Sequence, residues 1–139
     1  MPKLPLPPEA EQLLSKANPA VIGTVRADGS PHTAVTWYLW EDGRVLVNMA
    51  ATRVRLKHIQ RDPRVSLTVM DSQSWYRQVT VFGRAVEIYD DTDLADIDRL
   101  SLRYTRNPYR NRKDARVSAW IEVDGWYGWE NASAWPAQD

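Results

Sequence analysis

The clearest pattern in the chain is a two-residue alternation from Ala115 to Asp124, with Val117, Ala119, Ile121 and Val123 on one side and Ser118, Trp120 and Glu122 on the other. This is the period of a half-buried β-strand, because successive side chains leave a strand on opposite faces. Runs rich in β-branched residues predict further strands at Ala20 to Arg26, His32 to Trp40, Val45 to Met49, Arg64 to Met70 and Gln78 to about Tyr89. Turn residues punctuate them: Ala27-Asp28-Gly29-Ser30-Pro31 before the second strand and Glu41-Asp42-Gly43-Arg44 before the third. Gly83, inside the longest run, marks a bulge or a close backbone approach.

Helical spacing interrupts this pattern three times. Glu9 to Ala17 reads as a short helix that buries Leu13 and Leu14 and stops at Asn18-Pro19. Thr52 to Gln60 reads as a second, capped by Thr52, with Val54, Leu56 and Ile59 on one broad face and Asp62-Pro63 beyond its end. Asp91-Thr92 opens a third, whose repeating face is Leu94, Ile97, Leu100 and Tyr104. The acidic run Asp90 to Asp93 suits the positive end of that helix dipole. Thr105 to Asp114 reads as a solvated loop. Six strands without βαβ alternation or a G-x-G-x-x-G loop predict a mainly β chain, a Greek-key β-barrel with short helices.

A chain of 139 residues is expected to form one domain, with residues 1–9 as a lead and 126–139 as a tail. Eighteen basic and eighteen acidic side chains cancel. That balance, and the lack of a recognised motif beside the basic stretch Arg103 to Arg116, argue against a nucleic-acid partner. The absence of cysteine excludes disulfides and thiolate chemistry, so redox chemistry requires a bound cofactor. No apolar run approaches the roughly 20 residues of a membrane span, and the Pro-rich start lacks an apolar signal core. A cytoplasmic protein is expected. His32 and His58 have no carboxylate at ligand spacing, so no metal site is expected; His58 reads as an exposed helix residue and His32 as a strand-surface one.

Seven Trp and six Tyr accompany one Phe, and such amphipathic aromatics favour interfaces and ligand walls. Along the second strand Thr33, Val35 and Trp37 face one way and Ala34, Thr36 and Tyr38 the other, so only one set is expected to line a pocket. Trp37 has two readings, a core or interface aromatic or a ring wall. Trp75 and Tyr76 read as a lid or as a packed loop anchor. Trp126, Tyr127 and Trp129 follow the last strand and read as interface packing.

Chemistry concentrates where Arg53, Arg55 and Lys57 occupy the opening turns of the second helix, whose dipole already carries positive charge there. A bound phosphate or carboxylate reverses that unfavourable balance. The alternative is a solvated basic face. The position directly after a buried strand favours the anion site.

The string from Val47 to Leu67, with Asp28-Gly29-Ser30-Pro31-His32 upstream and Arg61-Asp62-Pro63-Arg64-Val65 within it, resembles the pyridoxamine 5'-phosphate oxidase-like superfamily. The likeness spans about Ala10 to Trp129. Within the superfamily the chain is similar to the actinobacterial flavin/deazaflavin oxidoreductases that use coenzyme F(420). The resemblance implies a six-stranded FMN-binding-like split barrel that forms a homodimer, with the cofactor at the subunit interface. It implies that Val47, Asn48, Met49 and Ala50 meet the cofactor ring through backbone, and that Arg53, Arg55 and Lys57 hold its phosphate. Thr36, Trp37, Tyr38, Trp75 and Trp126 would form the substrate pocket, and the resemblance offers for Trp126, Tyr127 and Trp129 the second reading of a tail over the partner's site. The FMN-dependent oxidases carry a Ser-Arg-Lys string where this chain reads Arg53-Val54-Arg55, which favours F(420) and leaves FMN as the alternative. The implied reaction is hydride transfer from reduced F(420) to a small electron-poor organic substrate. The alternatives are an FMN-dependent enzyme and a non-catalytic flavin or deazaflavin binder. No side chain stands out as catalytic; solvent, Tyr38 and His32 are the candidate proton sources.

Overall fold

The computed structural model describes residues 4–130 and 133–135; the rest of the expected lead and tail lies outside them. In chain order the elements are α1 (Pro8–Ser15), β1 (Ala20–Val25), β2 (Pro31–Thr36), β3 (Leu39–Glu41), β4 (Arg44–Ala50), α2 (Val54–Arg61), β5 (Arg64–Met70), β6 (Arg77–Asp90), α3 (Ala95–Thr105), β7 (Arg116–Glu130) and β8 (Ser133–Ala134). Adjacent strands pair antiparallel along the path β2-β1-β5-β6-β7-β4-β3, with β8 beside β7. This interleaving of early and late strands, with β2 and β3 left unpaired to one another at the two ends, is a split Greek-key barrel.

Alternation places one row of side chains inside. Ile22 pairs with Leu67, Leu67 with Val81 and Val81 with Trp126, so four neighbouring strands send apolar side chains to a common core. Ala10, Leu13 and Leu14 of α1 join it. β6 and β7 pair over most of their length, and register shifts at Phe82/Gly83 and Ala85/Glu87 bend the ribbon. A Cβ at Gly83 would lie 1.9 Å from the Glu122 carbonyl oxygen, so the expected close approach is real and admits only glycine. The turn before β4 also follows its residues: Asp42 and Gly43 both have positive φ, as a two-residue hairpin turn of the primed kind requires.

Four boundaries differ from expectation. The expected strand from His32 to Trp40 is two strands, because Tyr38 turns into the core and its hydroxyl donates to the Lys16 carbonyl at 2.7 Å. With β8, the described strands number eight rather than six. Thr52 does not cap α2; the helix starts at Val54 after Arg53, with no side-chain cap and no acidic residue in its first turn. α3 begins later than Asp91, whose carboxylate instead accepts the backbone N–H of Asp96 at 3.1 Å and of Ile97 at 2.9 Å. The last strand continues to Glu130, because Gly125 to Glu130 stay in ladder with β6. Among the described residues no helix is long and apolar enough to cross a membrane.

Candidate functional site

β4 delivers the chain into the bend that opens α2, and this junction forms one wall of a cleft of about 300 Å³. Asn48 comes from β4, and Arg53 and Arg55 from the start of α2. The end of β2 brings Val35, Thr36 and Trp37, α3 brings Ile97 and Leu100, and Tyr109 and Arg116 come from the loop and strand that follow. Three guanidinium groups line this cleft and no carboxylate does.

Arg53 and Arg55 make no ion pair or side-chain hydrogen bond with any described residue, and the buried Nε of Arg55 is without a partner. Burial, with the charges of Arg53 and Arg116 beside it, pulls the Arg55 pKa below its ordinary value. Uncompensated positive charge at an uncapped helix start is the arrangement that an anion relieves. Arg116 is held: its Nε donates to Asn48 Oδ1 at 2.9 Å, its Nη1 to the Tyr109 hydroxyl at 3.3 Å, and its guanidinium carbon lies 4.8 Å from the Tyr109 ring centre. Trp37 stacks on Tyr104 at 5.4 Å, nearly parallel, and meets Tyr109 edge-on at 6.1 Å. These contacts give the cleft a flat, fixed aromatic side.

Beyond Leu46, β4 pairs only with β7, since β3 covers just Arg44 to Leu46. Val47 to Ala50 therefore present one strand edge that no other described strand covers. The side chains of Val47 and Met49 are buried in the core, while that of Asn48 reaches the cleft.

Of the residues singled out from sequence, Thr36, Trp37, Asn48, Arg53 and Arg55 converge here. Val35, Thr36 and Trp37 all line the cleft, contrary to the two-sided expectation, because β2 ends at Thr36 and the chain swings round. Other residues stand elsewhere. Lys57 is exposed one turn along α2 and outside the lining. Tyr38 is fully buried, its pKa raised by desolvation, so it offers the cleft neither surface nor proton. Trp126 belongs to the core at 0% exposure, and Trp75 projects at 65% exposure from the β5–β6 turn, tilted against Tyr76.

One further reading is overturned. His58 is buried, with Nδ1 2.8 Å from the Thr24 hydroxyl and its ring edge-on to His32 at 5.0 Å. The stretch after α3 is the exposed loop expected, yet it is anchored: Arg112 pairs with Asp98 at 2.6 Å, and Asp98 also accepts the Tyr109 N–H at 3.0 Å, which sets Tyr109 at the cleft. Sequence reasoning missed Ile97 and Leu100 as lining residues, and missed Tyr109 and Arg116. The helical face of α3 was a signal for the first two; nothing local marked the others. Among the described residues no group of three or more potential ligands is placed to hold a metal ion.

Residues 6–130 match the family described as pyridoxamine 5'-phosphate oxidase. No curated protein matches the chain. Among solved structures, an F(420) reductase is 26% identical with a TM-score of 0.81, covering 87% of this chain and 98% of its own. A conserved hypothetical protein of Mycobacterium tuberculosis is 24% identical with a TM-score of 0.70, covering 94% of this chain and 88% of its own. General Stress Protein 26 of Bacillus anthracis, 23% identical with a TM-score of 0.66 over 86% of this chain and 90% of its own, shares the fold. With the family match running from α1 through β7, the chain belongs to the pyridoxamine 5'-phosphate oxidase family of flavin-type split-barrel oxidoreductases.

Proposed function

We propose that this chain is an oxidoreductase that uses reduced coenzyme F(420) to pass a hydride to a small electron-poor organic substrate. The observation that carries the reading is the cleft in which unpaired Arg53 and Arg55 face the aromatic side made by Trp37, with no carboxylate in the lining. The likeness to an F(420) reductase favours the deazaflavin over FMN. When bound, the deazaflavin supplies the hydride from a ring carbon. The residues of this chain bind, orient and exclude water. Arg53 and Arg55 offer forked donors that suit a phosphate, and Arg55 gains a partner for its orphaned Nε. The uncovered edge at Val47 to Ala50 offers backbone groups to the rim of the ring. Ile97, Leu100 and Val35 keep the site apolar away from the cations.

A homodimer belongs to the same proposal. Across the outer face of the sheet, one row in register runs Thr33, Gly23, Ser66, Phe82, and the next runs Val35, Val21, Thr68, Thr80, Tyr127. Neither row holds a charge, so a second copy meets no repulsion and no buried ion there. Val35, 77% exposed, stands both on this face and in the cleft, so the partner would border the cofactor.

The test is quenching of tryptophan fluorescence by F(420) and by FMN, titrated separately into the wild type and an R53A/R55A double variant. F(420) is expected to bind much more tightly than FMN, with most affinity lost in the variant. Tighter FMN binding moves the protein to the FMN-dependent alternative. Binding of neither overturns the reading, and tight F(420) binding without reduction of any acceptor marks a carrier.

A further inference from the structure

Behind the cleft lies a hydrogen-bond network whose donors and acceptors leave one arrangement. The Asp91 carboxylate accepts from two backbone N–H groups and from Asn48 Nδ2 at 3.1 Å. The Ser118 hydroxyl spends its one proton on Asp96 Oδ2, at 2.7 Å, so toward Asn48 Nδ2, 3.0 Å away, it acts as acceptor. Both protons of the Asn48 amide are thereby committed inward. Its oxygen must face the other way, where it receives Arg116 Nε. Tyr109 holds the guanidinium from the far side, and Arg116 Nη2 makes no hydrogen bond with any described residue.

Asn48 thus stands between a buried carboxylate and a guanidinium. A residue without the amide would leave Asp91 and Arg116 free to pair directly, drawing Arg116 out of the cleft. As it stands, Arg116 adds a third cation to Arg53 and Arg55, from an element far along the chain. Two guanidinium forks already match one phosphate, and Arg116, supported by Asn48 and Tyr109 instead of by α2, adds the capacity for a second acidic group.

We infer that Arg116 is a further ligand-binding residue of this cleft and that Asn48 is the positioning residue that aims it, so the site takes a ligand carrying two acidic groups in tandem. The inference rests on the reading of the cleft as a cofactor site and deepens it.

The experiment titrates inorganic phosphate and pyrophosphate separately into the full chain by calorimetry, using wild type, R116Q, R116K, N48A and the R53A/R55A variant. Near-ultraviolet circular dichroism establishes that each is folded. Wild type is expected to prefer pyrophosphate by about tenfold, the scale of one charge-assisted contact. R116Q and N48A should both compress that preference to within about threefold, lowering pyrophosphate affinity more than phosphate affinity, and R116K should keep part of it. A wild type indifferent to the two anions, or an R116Q variant with the full preference, overturns the role of Arg116. Full preference in N48A together with its loss in R116Q overturns the positioning role of Asn48. These outcomes are separable from failure of the cofactor reading: if R53A/R55A binds F(420) and FMN as wild type does, the cofactor site itself is misplaced. If it loses them while the pyrophosphate preference survives R116Q, only the present inference fails.

Discussion

Replacing Arg55 by Met probes the anion site through stability, without any need to know the ligand. Arg55 is half-buried, its Nε is covered and unpartnered, and Arg53 and Arg116 repel it. A buried donor left unsatisfied costs about 1–3 kcal/mol, and because water still reaches the rest of this guanidinium the lower end applies, about 1 kcal/mol. Repulsion between charges near a protein surface adds a few tenths of a kcal/mol at ordinary ionic strength, roughly. Met preserves the packing of the aliphatic stem. The cofactor-free variant should therefore be more stable than wild type by about 1 kcal/mol, a rise in melting temperature of roughly 3–5 °C for a domain of this size. Urea unfolding in a buffer free of phosphate and sulfate measures it. Adding F(420) or pyrophosphate should then stabilise the wild type by mass action and leave the variant nearly unmoved, reversing the order. A variant less stable than wild type in the anion-free buffer refutes the claim that Arg55 is held at a cost for a ligand.

His58 has its pKa held below the ordinary value by burial first, then by His32, Arg61 and Arg26. The fold favours its neutral form, so its contribution is complete above the unfolded value near ~6.5 and is lost as pH falls below it; melting temperature should drop between pH 7 and 5, and His58→Gln should flatten the drop, whereas a flat wild-type profile contradicts the reading. Gly83→Ala forces a Cβ against the Glu122 carbonyl and should cost more than about 2 kcal/mol in urea unfolding, so a near-neutral effect would mean the β6–β7 bend can relax. Val35→Lys adds charge to an uncharged row of the sheet face and should turn a dimer into a monomer by light scattering; a wild type already monomeric removes the dimer from the proposal.

What was legible in the residues was local. Alternation in Ala115 to Asp124 and the β-branched runs found the interior of every long strand, because side-chain direction along a strand depends only on parity. The cations at Arg53 and Arg55 were legible because they stand where a buried strand ends and the next helix opens, a junction set by adjacent residues of the chain. Boundaries that depend on a partner were not. Trp126 follows an Asp-Gly pair and reads as a tail until β6 is seen to continue the ladder beside it. His58 sits among charged neighbours and reads as exposed until Thr24 and His32 arrive from another hairpin.

The sequence by itself determined a mainly β chain with three short helices, a glycine marking a bulge or close approach, and three cations, Arg53, Arg55 and Lys57, just after a buried strand. Only the tertiary structure decided that Arg53 and Arg55, and not Lys57, share a cleft with Trp37, Tyr109 and Arg116. The reason is register: β4 lies against β7 with Asn48 opposite Ser118 and Ala50 opposite Arg116. The identity of Asn48 does not disclose that alignment, because it is fixed by the apolar side chains that both strands bury together.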